Sequence, residues 1–294
     1  MITDGSAAGC RGGGGLVFAA TPAYPPPPIS IAVRRLFFLL GVVLCLSCGS
    51  DDELVVVKIV LESATVEEQS RIGEALRELA ADYWALSDPA ARPATHAYLD
   101  RLFQLLVVHP ALQRRTAFDW RLHVLIDDLS QEAFGFPGGQ VFVTTGLLRL
   151  LESEDQLLAV LAHEMAYLDA DLAVDRLLGD KAIGGDRLGD LVIDQTPADP
   201  AALLANIRAI DHAPATVQLA DSVMLDLLCP FNYRPTGLAD LYVLADAQAE
   251  QPRWLARRPA DRTARIDWLY AAAFDCELNG VRNAAAYAAF LENL

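Results

Sequence analysis

From residue 63 onward the chain alternates between apolar stripes of helical period and short polar breaks. In "SATVEEQSRIGEALRELAADYWAL" (63–86), Ile72, Leu76, Leu79 and Tyr83 recur three or four residues apart. That spacing predicts an amphipathic helix, ended by Asp88-Pro89. A second stripe at 98, 99, 102, 105 and 106 within "ATHAYLDRLFQLLVVH" (94–109) predicts another helix, stopped by Pro110. The period then shortens to two. "RLHVLID" (121–127) alternates Leu122, Val124 and Ile126 with other residues, the pattern of a half-buried strand. "EAFGFPGGQVFVTTG" (132–146) reads as two short strands around Pro137-Gly138-Gly139, where the glycines can take positive φ.

A long helix is predicted next. Ser153 stands at its N-cap with Gln156 as capping-box partner, Leu158, Leu161, Met165, Leu168 and Leu172 line one face, and Gly179 ends it. Residues 180–200, rich in Gly, Asp and Pro, read as a loop. Helices are expected at about 201–211, 215–228, 236–249, 260–273 and 281–292, with no internal repeat. The expectation is one α+β, mainly α, domain over residues 65–294 with a small sheet and a hairpin.

The region before it carries an address rather than a core. In "VRRLFFLLGVVLCLSCGSDDE", Arg34 and Arg35 form a positive flank, Leu36 to Leu46 a short apolar core, and Ser47-Cys48 a small residue before cysteine. The core is shorter than the roughly 20 residues a membrane span needs. Residues 33–48 resemble a bacterial lipoprotein signal, which implies lipid modification of Cys48 and anchoring at the cell envelope; an ordinary signal peptide or a buried helix is the alternative. Residues 49–64 would then be a tether. Residues 1–32, with "GCRGGGG" and "YPPPPIS", fit no export signal and lack a periodic apolar face, so translation is expected to begin near Val33.

Charge and cysteines narrow the partners. The net charge of −16 over 294 residues leaves no basic stripe for phosphates and excludes a nucleic-acid partner. Cys45 and Cys48 show C-x-x-C spacing, but inside an apolar run that suits no zinc ribbon. If Cys48 becomes the new N-terminus, Cys229 and Cys276 remain, as one disulfide or as two separate buried thiols.

The chemistry sits in "AVLAHEMAYLDADLAVD" (159–175). An H-E-x-x-H helix puts two imidazoles at i and i+4 on one face, where they reach one cation, and a glutamate that takes a proton from metal-bound water. Here the run is His163-Glu164-Met165-Ala166-Tyr167, with tyrosine at the fifth place. A His-Glu pair alone is a weak motif. No G-x-S-x-G elbow or phosphate-cradling loop is present, and the glycines of "AIGGDRLGD" (182–190) follow no strand.

The colinear set says more. "FGFPGGQVFVTTGLLRLLESEDQLLAVLAHEMAYL" resembles the core of the zinc metallopeptidase family that includes the HtpX heat-shock protease and the CAAX prenyl endopeptidase (metallopeptidase family 48). The resemblance runs from about residue 65 to 270: "EEQSRIGEAL" is similar to the family's first helix, "VQLADSVMLDLLCPFNYRPTGL" to its E-x-x-A-D segment, and "RRPADRTARI" to its closing element. It implies a gluzincin-like helical metallopeptidase fold. It places the first zinc ligand on His163, the general base on Glu164, the second and third ligands on Tyr167 and Val217, a supporting aspartate on Asp221 and a hairpin-leading asparagine on Glu132.

Valine cannot coordinate, and a tyrosine binds zinc only as phenolate, against a pKa of about 10. A catalytic zinc takes three protein ligands and one open position. No cofactor is therefore expected, and His163 and Glu164 are expected to persist in a metal-free polar network with Asp221 and Tyr167. The expected role is non-catalytic, binding extended peptides or envelope proteins along the hairpin's edge strand. The alternative is an active zinc metalloendopeptidase with atypical ligands, for which His123, His212 and Asp221 are the further candidates.

Overall fold

The structure, a computed structural model, describes residues 65–170, 199–208, 213–246, 262–274, 276 and 280–294. The address segment with Cys48, Gly179 and residues 180–198 of the expected loop, and His212 lie outside the described residues.

Helix α1 (Val66–Tyr83) opens on a capping box: the Thr65 hydroxyl accepts the Glu68 N–H, and the Glu68 carboxylate accepts the Thr65 N–H at 2.7 Å. Pro93 begins α2 (Pro93–Val107), where its missing N–H costs nothing. Strands β1 (Arg121–Leu125), β2 (Ala133–Phe136) and β3 (Gln140–Thr144) form a sheet in the order β1-β3-β2. β1 runs parallel to β3 and β2 antiparallel. Pro137–Gly139 makes the turn between β2 and β3, with Gly138 at φ 75° and Gly139 at φ 92°, as the sequence predicts.

Strand alternation divides the core in two. Val124, Ala133, Val141 and Val143 join a large core built around the later helices. Phe134, Phe136 and Phe142 point the other way, into a smaller core with Ile72, Leu76 and Ala80 of α1. Gly73 lets α1 sit directly on the turn, because a Cβ there would stand 1.8 Å from the Pro137 carbonyl oxygen. Gly73→Ala is expected to cost about 1–3 kcal/mol despite alanine's better helix propensity, read as a lower urea midpoint.

A short helix the periodicity did not predict, α3 (Thr145–Leu150), follows β3 and is capped by Thr144, whose hydroxyl accepts the Leu147 N–H at 3.1 Å. Helix α4 (Glu154–Asp169) then passes through the middle of the large core with all its residues buried, rather than presenting one apolar face. Ser153 is its N-cap, but Gln156 turns back to accept the Glu152 N–H at 2.7 Å instead of completing a capping box. The helix closes at Asp169, short of Gly179. There the Asp169 carboxylate accepts the N–H groups of Gln113 and Arg114, and the Arg114 guanidinium takes the carbonyls of Leu168 and Asp169.

The remaining helices are α5 (Pro200–Arg208), α6 (Pro214–Leu228), α7 (Gly237–Asp246), α8 (Arg262–Ala273) and α9 (Ala284–Leu291). α5 adds Leu203, Leu204 and Ile207 to the smaller core, while α6 to α9 enclose α4. Cys229, at the end of α6, is bridged to Cys276, just past α8, which decides between the two cysteine alternatives. Among the described residues no helix is long and apolar enough to cross a membrane.

Candidate functional site

Helices α4 and α6 pack side by side and bring the sequence-predicted residues to one place. His163, Glu164 and Tyr167 come from α4, and Val217 and Asp221 lie one turn apart on α6. All five are buried: His163, Val217 and Asp221 are fully enclosed, Tyr167 is 2 % and Glu164 5 % exposed.

His163 Nδ1 stands 3.0 Å from Asp221 Oδ1. The Tyr167 ring lies edge-on to the imidazole, centroids 4.9 Å apart, as i and i+4 side chains on one helix do. Asp221 has a stronger partner that the sequence reading gave no role. Arg265 of α8 reaches its carboxylate with two parallel bonds, Nε to Oδ2 at 2.7 Å and Nη2 to Oδ1 at 2.6 Å. A third donor of Arg265, Nη1, bonds the Tyr242 hydroxyl of α7, and the guanidinium lies 4.8 Å from the Tyr242 ring centre. Arg265 is itself only 1 % exposed, so the pair is a fully internal one.

The electrostatics follow from that geometry. Burial works to raise the Asp221 carboxyl, but the Arg265 guanidinium and the His163 hydrogen bond outweigh it and hold the carboxyl at about 2. Burial likewise opposes charge on Arg265, and the Asp221 carboxylate overcomes it and raises the guanidinium further. The aspartate is an anion already matched by a cation of the chain.

For a metal, the donor set is thin. His163 supplies one imidazole, with Nδ1 already turned to Asp221; one turn before Asp221 the side chain is the hydrocarbon of Val217. Among the described residues no three His, Cys, Asp or Glu side chains gather into a metal-holding group. His123 sits on the other face of the sheet from α4, bonded to Gln140 Oε1 at 2.8 Å and stacked on Phe142.

Glu132 also has a role of its own. It pairs with Arg208 of α5, whose Nε lies 2.8 Å from Glu132 Oε2. Arg265 falls in "RRPADRTARI", the stretch similar to the family's closing element. For both it and Arg208 the general signal is that a buried aspartate or glutamate requires a counter-charge, which an arginine on a distant helix can bring.

Comparison with known proteins shows what this arrangement is similar to. Residues 93–182 match the profile of peptidase family M48. The chain is 33 % identical over 116 residues to the mitochondrial metalloendopeptidase OMA1 of Schizosaccharomyces pombe, a stretch covering 40 % of this chain and 33 % of that protein. It is 33 % identical over 84 residues to the mitochondrial metalloendopeptidase OMA1 of Danio rerio, covering 28 % of this chain and 16 % of that one. The match to the M48 profile thus runs from α2 through α4, and the matches span a third or less of those relatives' lengths.

Proposed function

We propose that this chain is an exported, lipid-anchored M48 domain that works without zinc, as a binding factor for extended peptides or partner proteins at the cell envelope. The observation that carries the reading is the buried set His163–Asp221–Arg265: it balances its own charge, and it offers one imidazole where a catalytic zinc takes three ligands. Without a metal, Glu164 has no water of lowered pKa to act upon. The tripartite pattern of residues 33–48, ending at Cys48, supports export, and the Cys229–Cys276 bridge suits an oxidising compartment.

The binding surface would be the outer edge of β2. The Glu132 carbonyl accepts the Thr144 backbone N–H, so by alternation Ala133 and Gly135 turn their N–H and C=O groups away from β3. An extended peptide adds itself to such an edge through main-chain bonds.

Metal content decides the central point. The purified chain is expected to bind no stoichiometric zinc by mass spectrometry, while Tyr167→His/Val217→Glu is expected to bind one zinc per chain. One tight zinc in the natural chain would overturn the reading. It would support the second one, an active zinc metalloendopeptidase with atypical ligands, which the retained His163-Glu164 pair favours. In that case Glu164→Gln abolishes peptide hydrolysis; in the zinc-free case the substitution leaves peptide binding unchanged.

A further inference from the structure

Arg208 is the last residue of α5, and its guanidinium meets two carboxylates and two aromatic rings. Its Nε and Nη2 both bond Glu132 Oε2, Asp127 Oδ2 lies 3.9 Å from Nη2, and the Trp84 and Phe134 rings lie 5.2 and 5.4 Å from its central carbon. Two carboxylates and two aromatic faces are the groups that recognise a guanidinium rather than an ammonium, since the planar cation both forks to carboxylates and stacks on rings.

The walls of this pocket do not depend on Arg208. Glu132 is fixed by its backbone, which donates to Thr144 Oγ1 at 3.0 Å and accepts from Thr144 N at 3.0 Å. Asp127 is fixed in a turn where its Oδ1 accepts the N–H groups of Leu129 and Ser130. Trp84 and Phe134 pack on one another edge-on, centroids 5.5 Å apart. Only the cation comes from a separate short helix.

The pocket also lies where an added strand would deliver side chains. Glu132 and Phe134 share the sheet face of Phe142, while a Cβ at Gly135 would meet Leu168 of α4 on the opposite face. A peptide paired through Ala133 and Gly135 alternates its side chains in the same way, so every second one points toward Glu132 and Trp84.

We infer that Asp127, Glu132, Trp84 and Phe134 form an arginine-binding pocket, filled in the resting chain by Arg208 and taken over by an arginine of an extended peptide bound at β2. This rests on the edge-strand reading above, and it adds a side-chain specificity and an internal competitor to it. α5 acts as the plug: peptide binding and release of Arg208 are one exchange.

Two measurements test it. Arg208→Ala and, as a second empty-pocket variant, Arg208→Gln are heated with N-acetylarginine methylamide or its lysine analogue at equal ionic strength. The arginine amide is expected to raise the Tm of both variants saturably and leave the natural chain unmoved, with little effect from the lysine amide. No rise, or an equal rise with lysine, overturns the pocket. The full natural chain is then titrated with an extended valine-rich peptide bearing one arginine, and with its lysine counterpart. The arginine peptide is expected to bind about tenfold more tightly, a preference lost in Glu132→Gln. Equal binding overturns the pocket and leaves the edge-strand reading standing. Binding of neither peptide overturns the edge-strand reading and the exchange with it, whatever the amides do.

Discussion

Arg265→Met is expected to remove about 3–5 kcal/mol of folding stability, the largest loss among single substitutions at the site. The side chain is fully internal, and methionine fills similar volume, so the loss comes from charge rather than from a cavity. What remains is Asp221, fully buried, with its two guanidinium bonds gone and only the His163 contact left. An unpaired buried carboxylate is far costlier than an absent pair. For that reason Asp221→Asn/Arg265→Met is expected to recover most of the loss, since a buried ion pair contributes little beyond an uncharged pair of the same shape. Urea unfolding of the parent, both single variants and the double variant forms a closed cycle. A coupling energy below about 0.5 kcal/mol would show that the two residues act independently and would sink the account of a self-balanced site.

At the head of α4, two adjacent buried carboxylates are expected to titrate stability in opposite directions. Glu154 is surrounded by four donors from three segments: the Tyr98 hydroxyl at 2.8 Å and Arg101 Nη2 at 2.6 Å from α2, the Tyr233 hydroxyl at 2.6 Å and Asn283 Nδ2 at 2.6 Å. Burial pushes its carboxyl up, but the hydrogen bonds from Tyr233, Asn283, Tyr98 and Arg101 win and hold it below the ordinary 4.5. Its contribution is therefore complete above that value and disappears as pH falls through the lower folded value. Glu154→Gln is expected to cost about 2–3 kcal/mol at neutral pH through loss of charge-assisted bonds, and much less in acid.

Asp155 behaves the other way. It is fully enclosed, and burial raises its carboxyl above the ordinary 3.8 despite the neighbouring Ser153 hydroxyl and the charges of Arg282 and Arg234. Arg282 Nε comes no closer than 3.9 Å. An acid raised in the folded state contributes most stability below its ordinary value and loses it as pH rises through the folded value. Asp155→Asn is thus expected to stabilise the chain at neutral pH and to have little effect in acid. Stability measured from pH 3 to 8 by urea midpoint checks both, and parallel pH profiles for the two variants would contradict the assignment.

Much of this molecule was legible along the chain because the deciding pattern is local. The stripe Ile72, Leu76, Leu79 and Tyr83 gives α1, and a period of two gives β1. Pro137-Gly138-Gly139 gives the turn because only glycine takes those φ values freely. His163 and Glu164 were found because adjacent residues on a helix keep a fixed relation whatever surrounds them. Other features were not local. α4 reads as one-faced, yet it is enclosed all round, because α6 to α9 arrive later in the chain to cover its second side. Its end at Asp169 is set by Arg114, which lies 55 residues earlier. Asn283 takes φ 50°, and its amide reaches Glu154 across 129 residues.

The same division governs the chemistry. By itself the sequence determined that one imidazole and one carboxylate stand together on a helix, with Tyr167 in place of a second imidazole and Val217 one turn before Asp221. It could not say which charge answers Asp221, or what Glu132 holds. Those answers, Arg265 at 44 residues' distance and Arg208 at 76, were decided only by the tertiary structure. Helical spacing is written in neighbouring residues, but the need of a buried charge for a counter-charge can be met from anywhere the chain folds back.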